Sequence, residues 1–118
     1  ENLENSLDKI KAVVLIQIKV LVKYENFMTI VLREIWGTGE RSKICKREVF
    51  DYIKQIEKIV NEGIQKGELQ MGDANVIASG IFGFTCSSLI YKMRNEHEIN
   101  VSELYTEIEK TFIRKLKK

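Results

Sequence analysis

From Ala74 to Tyr91 the chain carries no charged side chain, although 31% of its residues are charged. At 1.5 Å per residue that segment would make roughly 27 Å of helix with no face that clearly wants water. Asn75, Ser79, Thr85, Ser87, Ser88 and two glycines make it too polar for a membrane span, so its place is inside a folded domain. In a chain of 118 residues its own core can cover one side of such a helix. The side left over predicts an interface, because large exposed apolar surface usually marks one. The chain also has no proline, the residue that breaks helices, so long uninterrupted helices are allowed throughout.

Apolar spacing predicts about five helices and requires no strand. The first runs from about Leu3 to Tyr24, with Leu3, Leu7, Ile10, Val14, Ile18 and Leu21 on one stripe and Val13, Ile16 and Val20 on a second. It should therefore be central. Its β-branched run would also suit a strand, but its length and Lys9, Lys11, Gln17 and Lys19 favour helix. The second covers about Asn26 to Trp36, with Asn26 as N-cap, Phe27, Ile30, Val31 and Ile35 as its apolar steps, and Gly37-Thr38-Gly39 as the turn that follows. The third, Arg41 to Lys66, carries the cleanest amphipathic stripe: Val49, Tyr52, Ile53, Ile56, Ile59, Val60 and Ile64. Gly67 stops it and Asp73 caps the fourth, Ala74 to about Asn95. Ser102 is read as the cap of a fifth helix with Leu104, Ile108 and Phe112 on one side.

Composition narrows the function by exclusion. A net charge of +2 implies no nucleic-acid surface, and the basic groups at Arg41-Lys43-Lys46-Arg47 and Lys110–Lys118 read as solvated helix faces. Cys45 and Cys86 form neither a disulfide framework nor a zinc pattern, which fits a reducing cytoplasm. His97 lies in the polar run Asn95-Glu96-His97-Glu98, where adjacent side chains do not converge on a metal. Cys45 sits among basic residues that could lower a thiol pKa, but it has no histidine beside it in sequence. No catalytic residues, cofactor or metal site are predicted, so the chain is not expected to be an enzyme.

The junction between the third and fourth helices is the most specific part. Tyr52-x-x-x-Ile56-x-x-Ile59 leads into Gly63-Ile64-Gln65-Lys66-Gly67-Glu68-Leu69, then Asp73, then Ala78, Ile81, Phe82 and Gly83. This order resembles the C-terminal effector-binding and dimerisation domain of TetR-family transcriptional repressors, and as a pattern the resemblance covers residues 1–118. Two departures stand out: the family's three-helix DNA-binding unit is not in this sequence, and the proline common near the start of the second helix is missing. Tyr52 and Ile81-Phe82-Gly83 look more like the branch that senses fatty acyl-CoA. The resemblance implies an all-α, orthogonally packed bundle whose last two helices form a dimeric four-helix bundle with a second copy. It also implies a cytoplasmic homodimer that reads operator DNA only through the absent N-terminal domain, a small hydrophobic effector with fatty acyl-CoA as the candidate, and no membrane partner.

Within that frame two sets of residues are expected to matter. A largely apolar cavity among the first four helices takes Ile18, Leu21, Met28, Leu32, Trp36, Ile56, Phe82 and Leu89 as walls, with Gln17, Arg33, Tyr52, Thr85 and Cys86 as polar groups facing in. The dimer face takes Ile77, Gly80, Ile81, Gly83, Phe84 and Ser87 with Leu104, Ile108 and Phe112, the small residues letting a second helix come close. The competing reading from another class is a helical adaptor with a solid core and no ligand, in which every one of these side chains is core or surface.

Overall fold

In a computed structural model the fold is all-α, and the described residues form five α-helices: α1 (Ser6–Lys23), α2 (Glu25–Ile35), α3 (Glu40–Gln65), α4 (Ala74–Asn95) and α5 (Val101–Ile108). The structure describes residues 5–95 and 98–118, without the side chains of Glu25, Phe27 and Met28. Leu3, Glu96 and His97 therefore lie outside the described residues, as do the side chains of Phe27 and Met28. A π-helical turn, Glu109–Ile113, and a short 3₁₀ turn, Arg114–Leu116, continue from α5.

α1 is the spindle. It touches all four other helices and buries Ile10, Val14 and Ile18 completely. Ile56 and Val60 of α3, Ala78, Ile81 and Leu89 of α4, and Leu104 and Ile108 of α5 close around it. The double apolar stripe of α1 is what such a position needs, although Ile16 and Val20 of the second stripe remain exposed.

The Gly63–Leu69 segment ties three elements together. Gly67, at φ 76°, ends α3 in a left-handed turn. The Glu68 N–H donates to the Gly63 carbonyl at 2.8 Å and the Gly67 N–H to the Ile64 carbonyl at 3.1 Å, the paired bonds of a Schellman stop. Leu69 then folds back onto Gly63, where any side chain would collide with it and with Ser6. Glu68 reaches the start of α1, its carboxylate accepting the Ser6 N–H at 2.8 Å. That bond satisfies one orphan donor of α1, and the Asn5 side chain accepts a second from Asp8 N–H at 2.8 Å. The end of the chain completes the clasp: Lys117 pairs with Leu69 in a single antiparallel bridge, and Gln70 N–H donates to the Leu116 carbonyl at 2.9 Å.

Helix starts differ from the sequence reading in two places. α2 begins at Glu25 with no side-chain cap, because Tyr24 serves both as the end of α1 and as the start of α2 and leaves Asn26 inside the helix. α5 is capped by Asn100, whose Oδ1 accepts the Glu103 N–H at 3.0 Å, so Ser102 lies within the first turn. Asp73 does cap α4, accepting from Asn75 N–H at 2.9 Å and Val76 N–H at 3.4 Å.

Candidate functional site

The polar side chains predicted to face a cavity do not share one fate. Gln17, buried on α1, donates through Nε2 to the Phe82 carbonyl and the Cys86 sulfur, both at 3.4 Å. Its Oε1 accepts the Tyr52 hydroxyl at 3.2 Å. Three helices thus meet in one small hydrogen-bonded knot. Tyr52 also meets the Phe82 ring edge-on at 5.8 Å. Burial, with the Cys86 sulfur adding to it, raises the Tyr52 phenol above its usual range. Burial likewise pushes the Cys86 thiol up to about 11, against the opposing pull of the Gln17 N–H. Both groups are neutral hydrogen-bonding partners at ordinary pH.

Thr85 and Arg33 are not part of this knot. Thr85 is buried, but its hydroxyl turns back to the Ile81 carbonyl of its own helix at 2.9 Å. Arg33 is exposed and pairs with Glu34 at 3.5 Å instead of facing inward. Glu34 is the hub of the α2–α3 corner. It accepts the Ser42 hydroxyl at 2.7 Å, which holds its carboxyl below the usual range with help from Arg33 and Arg41. Lys46 Nζ donates to the Gly37 carbonyl at 2.8 Å, so the end of α2 is fastened to α3.

Space opens between α2 and α4. There a groove of about 270 Å³ is walled by Leu21 of α1, by Val31, Leu32, Ile35 and Trp36 of α2, and by Phe82, Gly83, Cys86, Ser87 and Ile90 of α4. It is an open groove rather than an enclosed cavity, and α3 contributes nothing to its lining. Of the expected wall residues, Leu21, Leu32, Trp36 and Phe82 line it, and so does Cys86 of the expected polar groups. Ile18, Ile56 and Leu89 are buried in the core instead, because their stripes point at α1 and its neighbours. Gln17 and Tyr52 stand behind the Phe82–Cys86 wall, bonded to it and to each other. Val31, Ile35 and Ile90 were not foreseen; the first two belong to the apolar steps of the second helix, which was the available signal. Trp36 lies at the groove with 86% of its surface exposed.

The outer face of α4 is the second feature. Val76, Ser79, Gly83, Ser87 and Tyr91 are exposed along it, while Ala78, Ile81, Thr85 and Leu89 face the core. The helix is long and apolar enough to cross a membrane by composition, but that second face is packed inside the domain. The expected interface set is therefore split: Ile81, Leu104 and Ile108 are buried in the protomer's own core rather than on its outer face. Leu104 and Ile108 are spent covering α1, since a short amphipathic helix has only one stripe to give. Phe84 and Phe112 stack at 4.7 Å with planes 7° apart, and Gly80 lies under the Phe112 ring. Ile77 is half-buried against the core. Gly83 and Ser87 remain open, and both also line the groove.

No family model matches the chain, and no curated protein matches it. A solved structure from Clostridium perfringens, described as a candidate fatty acid metabolism regulator, matches with a TM-score of 0.86 and 26% sequence identity over 97% of this chain. This chain spans 62% of that protein's length. The arrangement of α1 to α5 is thus shared, almost end to end, with part of a longer protein described as a regulator.

Proposed function

We propose that the chain is the ligand-sensing and dimerisation domain of a TetR-like transcriptional regulator, with the α2–α4 groove as its effector site. The observation that carries this reading is the chemistry of the groove. Its walls are almost entirely apolar, and the polar groups behind them already have partners. Among the described residues no buried side-chain nitrogen or oxygen lacks a hydrogen bond. Such a groove suits a hydrocarbon segment and offers little to a hydrogen-bonding one. The similar Clostridium perfringens protein is described as a regulator of fatty acid metabolism, which agrees with an acyl chain as effector, fatty acyl-CoA being the candidate form. DNA reading is assigned to a unit outside these 118 residues, and no catalysis is proposed.

Response to the effector would run through α1. A chain pressed against Phe82 and Cys86 bears on the two positions by which α4 holds Gln17. Displacing them shifts α1, the spindle of the domain, and a small rotation between two subunits is enough to mismatch half-sites one helical turn apart.

Trp36, the chain's single tryptophan, provides the assay. Titration with octanoate, decanoate and dodecanoate should shift its emission to the blue as the indole leaves water. In a groove open on one side each methylene gains less than the about 0.8 kcal/mol of full burial, so two added carbons should tighten binding roughly three- to tenfold. The melting temperature should rise with occupancy, since the ligand binds only the folded state. If no chain length moves either signal, the sensing reading fails and the adaptor takes its place.

A further inference from the structure

Gly83 and Ser87 belong to two surfaces at once. They line the α2–α4 groove, and they sit midway along the exposed, uncharged side of α4 between Val76 and Tyr91. The mouth of the groove therefore runs directly onto that helix face.

Size decides how far an interface built on α4 must reach. Its 22 residues make a strip about 33 Å long and roughly 10 Å wide, on the order of 330 Å². A stable dimer buries about 800 Å² on each partner. The helix alone supplies less than half of that, so the contact has to widen to one side. Toward α5 the neighbouring surface sets Phe84 and Ser88 among the charged Lys92, Glu107 and Lys110. Toward α2 it carries Ile90, Leu32 and the 86%-exposed Trp36. Burial favours the apolar side. Charge selects the occupant: the face is neutral in a chain that is 31% charged, so neither an acidic nor a basic partner finds a match. A second copy brings the same neutral face about a two-fold axis, with small residues at the crossing.

We propose that a second copy of this chain completes the groove. Its α4 crosses over Gly83 and Ser87 and closes the mouth beside Trp36, so that ligand and partner subunit stabilise each other. This rests on the ligand-sensing reading above. By linkage, with one groove per subunit, saturating ligand tightens the dimer by the square of the factor by which dimerisation tightens each site.

The test follows the wild-type chain by sedimentation and by Trp36 emission from nanomolar to high micromolar protein, with and without dodecanoate as the probe. Without probe, emission should move to the blue along the same concentration curve as the dimer forms. With saturating dodecanoate, the dimer dissociation constant should fall by about fivefold or more. Val76→Lys lies on the exposed side of α4 but outside the groove lining; it should give a folded monomer that binds dodecanoate weaker by the square root of that factor, about twofold or more. Ser79→Arg, also exposed on α4, repeats the test without touching Val76. A dimer that forms with Trp36 emission unchanged would overturn the shared site while leaving the sensing reading intact, as would monomeric variants that bind dodecanoate as tightly as the dimer. A chain that stays monomeric at every concentration would overturn both the shared site and the dimer.

Discussion

Replacing Gly63 by alanine probes the point where α1, α3 and the α3–α4 loop meet. A methyl there would lie 2.6 Å from Leu69 Cδ1 and 2.7 Å from both Leu69 Cγ and Ser6 Cβ. Non-bonded carbons prefer about 3.5–4.0 Å, so the neighbours would have to withdraw by roughly 1 Å. Leu69 and Ser6 are both buried, so neither can simply swing into solvent. Overpacking of this kind costs about 1–3 kcal/mol. Alanine recovers about 0.5–1 kcal/mol of it by suiting a helix interior better than glycine. With two elements crowded at once, the first figure belongs near its upper end and the net loss should be roughly 1–2 kcal/mol. Any displacement of Ser6 also strains its bond to Glu68. Urea unfolding followed by far-UV circular dichroism measures the loss. A double-mutant cycle isolates its cause: Leu69→Ala alone should cost about 2–5 kcal/mol. In that background the clash with Leu69 is gone and only Ser6 Cβ still crowds the methyl, so Gly63→Ala should cost less, a coupling above about 1 kcal/mol. The account of the junction is refuted if Gly63→Ala stabilises the wild type, or if its effect is the same in both backgrounds.

Tyr52→Phe removes the donor to Gln17 Oε1 and leaves a buried amide oxygen without it, so it should cost about 1–2 kcal/mol in urea unfolding; a loss within error would show that the knot contributes nothing. Cys86, its thiol pushed up to about 11 by burial, should have about one part in a thousand as thiolate at pH 8 and resist iodoacetamide by mass spectrometry; rapid stoichiometric alkylation at Cys86 would contradict the packing of the groove wall. Glu34, Glu68 and Glu109 are all held below the ordinary carboxyl value, chiefly by the Ser42 hydroxyl, the Ser6 N–H and the Arg114 guanidinium respectively. Depressed folded-state values mean that their stabilisation is complete above the unfolded value near about 4.3 and disappears as pH falls through the folded values. The melting temperature should therefore be flat above about pH 5 and fall below it, less steeply in Glu68→Gln; stability that holds or rises on acidification would reverse the sign of this reasoning.

Element by element, what could be read from sequence was whatever local chemistry decides. The end of α3 follows from Gly67 and the start of α4 from Asp73, because a left-handed turn and a side-chain cap act within a few residues. The cap of α5 is legible in the same local terms: Asn100 has Glu103 three residues on, the pattern of a capping box, whereas Ser102 has Tyr105. The Ser6–Glu68 bond was not legible at all. It joins positions 62 residues apart, and the sequence shows only a glutamate after a glycine. Periodicity marked Leu104 and Ile108 as buried, but a stripe does not say what covers it. The structure gives them to α1 instead of a second subunit.

The same distinction governs the candidate site. Polar residues on apolar stretches suggested groups lining a cavity, and Gln17 and Tyr52 fit that description equally well if they bond to each other behind the wall. They do the latter, and the consequence is chemical. A ligand entering between α2 and α4 meets Phe82 and Cys86, not the amide and phenol beyond them. To gain those partners it would have to break bonds from Gln17 to two groups on α4 and one on α3, each leaving a buried polar atom at a cost of about 1–3 kcal/mol. The knot therefore works by exclusion. It holds three helices in register, keeps the Gln17 amide and the Tyr52 phenol from a guest, and so leaves the polar end of any amphiphile to the mouth, beside Ser87 and Trp36. Selectivity in such a groove comes from what its wall refuses as much as from the apolar surface it offers.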